Sequence, residues 1–134
     1  MTRHFPSKTL LAVTGFAAMA AIPAVAANSL GMLNSLERGN WDVRYRDGGS
    51  TQKICVGTGR EFLQLGHKGD RCQRFVVEDG KNEITVQYTC RGNGYGRTSI
   101  RRENPNLVQI ESQGIANGRP FQFSAEARRT GRCR

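Results

Sequence analysis

Hydrophobic residues recur along this chain at two different periods. Leu30, Leu33 and Leu36 stand three apart behind Ser29 and ahead of Gly39, which predicts a short amphipathic helix with a serine N-cap and a glycine C-cap. After Gly39 the period drops to two, with Trp41, Val43 and Tyr45 alternating with Asp42, Arg44 and Arg46. Such alternation marks a strand with one buried face. Asp47-Gly48-Gly49-Ser50 supplies a turn, and Thr51 to Val56 brings the chain back as the second strand of a hairpin. With Gly48 and Gly49 at the turn centre, Val43 faces Ile54 and Trp41 faces Val56. Cys55 then lies on the other face, beside Asp42 and Arg44, so its partner is expected from outside the hairpin.

Gly57 to Asp70 has no clear period and reads as a loop with a helical turn, carrying Phe62, Leu63, Leu65 and His67. Arg71 to Glu78 and Glu83 to Cys90 form a second hairpin about Asp79 to Asn82. Matching its apolar faces pairs Phe75 with Val86 and Val77 with Ile84, whereas pairing Cys72 with Cys90 needs a shift of one residue. A one-residue slip turns every side chain to the other face. Either a bulge near Cys72 reconciles the two, or the disulfides do not follow the hairpin. Arg97 to Glu103 leads through Asn104-Pro105-Asn106 into Leu107 to Gln113, and Asn117-Gly118 turns the chain into Arg119 to Arg129. Centring that turn sets Val108 against Ala127, Ile110 against Ala125, Ser112 against Phe123 and Gln109 against Glu126.

The pattern is all-β: a small antiparallel meander of six or seven strands with one short N-terminal helix. A sheet of this size with one apolar face must curl or be covered, which predicts a curled sheet or half-open barrel.

The first 27 residues stand apart. Arg3 and Lys8 precede an apolar run from Thr9 to Ile22, and the small residues Ala24 to Ala27 follow. This is the pattern of a secretory signal cleaved before Ala27 or before Asn28. The run of 14 residues is short of the roughly 20 that span a bilayer, so stable membrane insertion is not expected. The remainder, 28 to 134, is read as one domain, soluble in the periplasm or outside the cell. All four cysteines (Cys55, Cys72, Cys90 and Cys133) lie in it, and an oxidising compartment makes them two disulfides. The favoured pairs are Cys72 with Cys90 and Cys55 with Cys133. No C-x-x-C pair occurs, so no metal site is predicted.

The chain holds 20 Lys and Arg against 11 Asp and Glu. Two basic residues and no acids belong to the signal, leaving the domain 18 against 11, at +7. Residues 91 to 134 carry nine Arg and three acids, so the C-terminal third is the positive pole. Export removes nucleic acid as a partner and leaves the anions of the envelope: head groups, peptidoglycan carboxylates and acidic proteins. Arg97 and Arg101 share a strand face with Gln109 and Glu111 next to it, and Arg128 and Arg129 belong to a basic tail. These four are the candidate anion-binding residues. Arg102 alternates with Ile100 on the nominal core side and must reach an edge or a buried acid.

Catalytic chemistry finds little support. His67, the only histidine of the domain, sits in a glycine-rich loop without an orienting carboxylate or activated nucleophile, and reads as solvated. Arg91-Gly92-Asn93-Gly94-Tyr95-Gly96-Arg97 has the look of a phosphate cradle, but it lacks the dinucleotide spacing and leads into a strand. It reads as a flexible hairpin loop. No catalytic residue and no cofactor are expected.

Gly39-x-Trp41, Cys55, Cys72-x-Arg74, Val86-x-Tyr88-x-Cys90-x-Gly92-x-Gly94 and Ala127-Arg128-Arg129-x-Gly131-x-Cys133 resemble the small secreted proteobacterial proteins of domain-of-unknown-function family 3617. The resemblance spans about residues 36 to 133 and implies a signal peptide, a β-rich exported domain and cysteine pairs, with no activity. The high Arg density and a short Trp41 to Cys55 segment depart from that family. Tyr88-Thr89-Cys90 also resembles the disulfide-linked barrels that inhibit lysozyme in the periplasm, but a domain at +7 would be repelled by a basic lysozyme. The function expected is a non-catalytic binding or envelope-interaction module that offers an Arg-rich surface to an anionic envelope component. The alternative is an inhibitor or protein partner of a cell-envelope enzyme. Oligomeric state is left open.

Overall fold

A computed structural model describes residues 29–134; the reading of residues 1–27 as a signal lies outside the described residues. The elements are α1 (Gly31–Asn34), β1 (Gly39–Tyr45), β2 (Thr51–Val56), β3 (Cys72–Asp79), β4 (Glu83–Cys90), β5 (Gly94–Asn104), β6 (Leu107–Ala116) and β7 (Arg119–Gly131). All seven strands join one open, curled antiparallel sheet in the order β2-β1-β7-β6-β5-β4-β3. Strands β3 to β7 form the predicted meander, and the β1–β2 hairpin attaches to β7. Consecutive strands β2 and β3 are therefore the two opposite edges.

That topology forces the segment between Val56 and Cys72 to travel from one edge to the other. It crosses the inner face of the curl in two 3-10 turns, Arg60–Phe62 and Leu65–His67. Phe62, Leu63 and Leu65 are buried against the sheet, and Phe62 meets the fully buried Trp41 edge to face at 5.4 Å. The core thus consists of Trp41, Val43, Ile84, Val86, Ile100, Val108, Ile110, Ala125 and Ala127 from the strands, closed by this crossing and by Leu30, Met32, Leu33 and Leu36 around α1.

His67 is not solvated, as the loop reading had it, but 2% exposed. Its Nε2 lies 2.7 Å from the Asn93 carbonyl and its Nδ1 3.1 Å from the Tyr88 hydroxyl. A carbonyl can only accept, so Nε2 carries the proton and, in the neutral ring, Nδ1 accepts from Tyr88. The ring also stands edge-on to Tyr88 and Phe121. Burial pushes the Tyr88 phenol up, against an opposing hydrogen bond with Ser112. Ser112 in turn pairs with Thr98 at 2.9 Å. A Cβ at Gly96 would collide with the Tyr88 hydroxyl, so this position requires glycine.

Several sequence expectations are corrected. The helix is one turn, and its N-cap is Leu30 in the left-handed region without a side-chain cap, so Ser29 does not cap it. Gly39 cannot be its C-cap because it opens β1 at φ 143°, where any Cβ would strike the Gly131 carbonyl. In the first hairpin Trp41 pairs with Ile54 and Val43 with Gln52, two residues away from the expected register. The turn is longer because Tyr45 donates to the Ser50 carbonyl while the Arg46 amide bonds to Ser124 of β7. A shift of two keeps the faces, so Cys55 still lies on the side opposite Trp41.

In the β3–β4 hairpin Cys72 pairs with Cys90, and that register runs unbroken to Val76 opposite Val86. The bulge lies at Val77, between Val76 and Glu78, rather than near Cys72. Phe75 therefore faces outward, 70% exposed, opposite Gln87 and not Val86. Arg91 to Asn93 is a tight turn rather than a flexible loop. Asn93 donates from its amide to the Cys90 carbonyl and from its side chain to Asp70, and accepts from the Asn117 amide. The β6–β7 register is as expected at all four pairs.

Both disulfides form, Cys72–Cys90 within a hairpin and Cys55–Cys133 from the β2 edge to the chain's tail. Two such bonds suit an oxidising, extracytoplasmic compartment. No helix among the described residues is long and apolar enough to cross a membrane.

Replacing His67 with Phe keeps the ring but removes its hydrogen bonds to the buried Tyr88 hydroxyl and to the Asn93 carbonyl. A loss of about 2 kcal/mol is expected in urea unfolding, and an unchanged midpoint would show that the two bonds hold nothing. Replacing Cys72 and Cys90 with Ser should cost about 3 kcal/mol. The Cys55–Cys133 pair, which closes the longer loop, should cost more, about 4 kcal/mol, as the same titrations would show.

Candidate functional site

The face of the sheet turned away from the core is the one the sequence pattern assigns to polar residues. Arg97 and Arg101 lie on it in β5, opposite Gln113 and Gln109 of β6. Arg128 lies on it in β7, opposite Leu107. Arg129 does not: it takes the core-side position opposite Trp41, and its Nε donates to the Arg38 carbonyl at 2.8 Å. The fold therefore brings Arg101 and Arg128 to one end of the open face, sets Arg97 four residues along β5, and gives Arg129 a structural role at the start of β1.

The surroundings of the three outward arginines differ. Arg101 pairs with Glu103 at 3.4 Å, and Arg128 with Glu126 at 3.3 Å. Glu126 also accepts from Gln109 at 3.2 Å, and Gln109 accepts in turn from Arg46. Donation by Gln109, against burial and aided by Arg128 and Arg46, holds the Glu126 carboxyl below the usual carboxylate range. These exposed pairs are worth little to stability, but they occupy the guanidinium groups. Arg97 is exposed and has no hydrogen-bond or ion-pair partner among the described residues. Arg102 finds no acid; it reaches out to the exposed Asn82 side chain, to which it donates at 3.0 Å, while its Nε is buried without a partner.

Two adjoining hollows, of about 540 and 270 Å³, share Arg97, Gln113 and Gln122. Gln87, Tyr95, Pro120 and Phe121 also line the larger one, and Ser99, Glu111, Ser112, Phe123 and Ser124 the smaller. The result is a trough with one free guanidinium, three carboxamides, three serines, one carboxylate and the rings of Phe121, Phe123 and the half-exposed Tyr95. Arg97 supplies a planar fork for a carboxylate or phosphate; toward hydroxyl groups the carboxamides and serines donate and accept, and the Glu111 carboxylate accepts. The glutamines were absent from the sequence candidates. Strand parity held the signal, since Gln113 and Gln122 face each other in the register set by Asn117-Gly118.

A second cationic group escaped the sequence reading altogether. Lys53, Arg60, Lys68 and Arg74 line a hollow of about 580 Å³ at the seam between the β2 edge and β3. They lie up to 21 residues apart in sequence and meet because the sheet curls. Glu61, the one acid there, is engaged: its carboxylate accepts the amides of Gly57 at 3.0 Å and Thr58 at 3.2 Å. Among the described residues no group of His, Cys, Asp and Glu side chains is arranged to hold a metal ion.

No family model, curated protein or solved structure matches this chain. The residues alone carry the functional argument.

Burial raises the Glu61 carboxyl, but the backbone amides outweigh it and the group ends below its ordinary value. A depressed folded-state pKa adds stability above the unfolded carboxylate value and loses it as pH falls through the folded one. Glu61→Gln should therefore lower stability at pH 7 and leave the difference from the parent shrinking below about pH 4. Thermal unfolding of both proteins between pH 2 and 7 checks this, and a constant difference would contradict it.

Proposed function

We propose that this protein is an exported, non-catalytic binding module whose open sheet face takes acidic saccharide groups of the cell envelope. The observation that carries the reading is Arg97, a guanidinium free of internal partners in a trough walled by carboxamides and hydroxyls. Bidentate pairing fixes the acid group of the ligand at Arg97. Its hydroxyls then lie against Gln113, Gln122 and Glu111, and a sugar face against Tyr95. Arg101 and Arg128, each already beside a carboxylate, add long-range attraction rather than a contact.

The signal-like residues 1–27 and the two disulfides support delivery to the periplasm or the exterior. The order of the four cysteines and the closing Gly131-x-Cys133 support placing the chain with domain-of-unknown-function family 3617. In that setting the peptidoglycan carboxylates are the acidic saccharides at hand.

Binding of soluble peptidoglycan fragments, followed by isothermal titration, should weaken steadily with salt. Arg97→Gln should lower affinity by about tenfold or more, consistent with a charge-assisted pair. Equal affinity of the parent and the Arg97→Gln protein would overturn the proposal.

A further inference from the structure

The hollow at the seam lies along a strand edge rather than on a face. Four consecutive residues of β2, Gln52 to Cys55, line it, and successive strand residues point to opposite faces. Only their shared outer edge can border one hollow. β2 pairs with β1 alone, and no residue described supplies a backbone partner on its other side. The outward amides and carbonyls of that edge are an unpaired template.

The charge around the edge has one sign. Lys53, Arg60, Lys68 and Arg74 face a single carboxylate, Glu61, whose oxygens are taken by Gly57 and Thr58. Arg60 and Arg74 bond only neutral acceptors, the Ser29 carbonyl, Asn34 and Gln64. Lys53 alone has an acidic partner, Asp42 at 2.8 Å. A neighbouring hollow that shares Lys53 adds Arg132 and Arg134. Fixed carboxylates do not cancel this field.

We infer that the outer edge of β2 binds an extended acidic segment of a partner protein as an added strand, with its carboxylates on Lys53, Arg60, Lys68 and Arg74. A phosphate or other small anion uses donors only and leaves the edge carbonyls unmatched, whereas a peptide strand satisfies donors and acceptors alternately. The size also fits. A strand residue fills about 160 Å³, from a rise of about 3.3 Å, a spacing of about 4.8 Å and a sheet spacing of about 10 Å. The hollow of about 580 Å³ takes three or four residues. Ile54 and Leu65 give it an apolar floor, which suits alternate uncharged side chains.

The test uses a blocked, fluorescent hexapeptide alternating Glu and Thr, matched in length to β2. The proposal expects saturable binding by anisotropy, new hydrogen-exchange protection at Gln52 to Cys55, and a loss of about tenfold for Lys68→Glu and for Lys53→Glu. Both lysines are exposed, so both variants should fold, as circular dichroism checks. A peptide with Pro at its centre should fail to bind, and Arg97→Gln should bind the hexapeptide as the parent does, which separates this site from the open face. Three outcomes overturn the proposal: no binding, equal binding of the Pro peptide without new protection, or full competition by inositol hexakisphosphate with the β2 amides unprotected. The last two would mark a polyanion patch in place of a strand site.

Discussion

The fold turns on a single constraint: the two strands that follow one another as β2 and β3 are the two opposite edges of the sheet. The chain between them has to cross the inner face, and that crossing is the cover the core would otherwise lack. A four-residue helix is too small to close seven strands. Phe62 against Trp41 anchors one end of the crossing, and His67 between Tyr88 and Asn93 anchors the other. Because the buried histidine satisfies a hydroxyl and a carbonyl at once, it fixes where the crossing lies as well as holding it down.

With one face closed by the crossing, the other is free. The middle of the long strands β5 to β7 carries polar residues on that face, from Gln113 and Arg97 to Gln109 and Arg101, and small residues such as Ser99 and Ser124 leave room between the longer glutamines. The same curl brings the β2 edge toward β3 and gathers cations far apart in sequence. Basic excess is thus divided between two places with different chemistry. One is a trough with a single free fork; the other is an edge ringed by four positive side chains. A uniform positive coat would attract anions without choosing among them, whereas these two arrangements present different geometries to an anion.

Much of this architecture was legible in the sequence where two independent signals agree. The β6–β7 hairpin could be read pair by pair because Asn117-Gly118 demands a left-handed turn, with φ of 51° and 73°, and alternation on both sides fits only that centre. In the first hairpin alternation alone cannot tell registers two residues apart, and Arg46 chose the longer turn by bonding to β7. Phe75 misled because hydrophobicity suggested burial, while the disulfide and Tyr88 set the opposite face. Of the site, Arg97 and its parity were readable. His67 was not, since its partners stand 21 and 26 residues away, and neither were the seam cations, whose meeting depends on strand order.

The account rests most directly on where an acidic saccharide meets the sheet. Titrating the isotopically labelled protein with soluble peptidoglycan fragments and following its side-chain amide and guanidinium resonances would place the ligand. The account predicts shifts concentrated at Arg97 Nε and the carboxamides of Gln87, Gln113 and Gln122, with Arg129 unmoved. Shifts spread over every exposed arginine, or none in the trough, would contradict it.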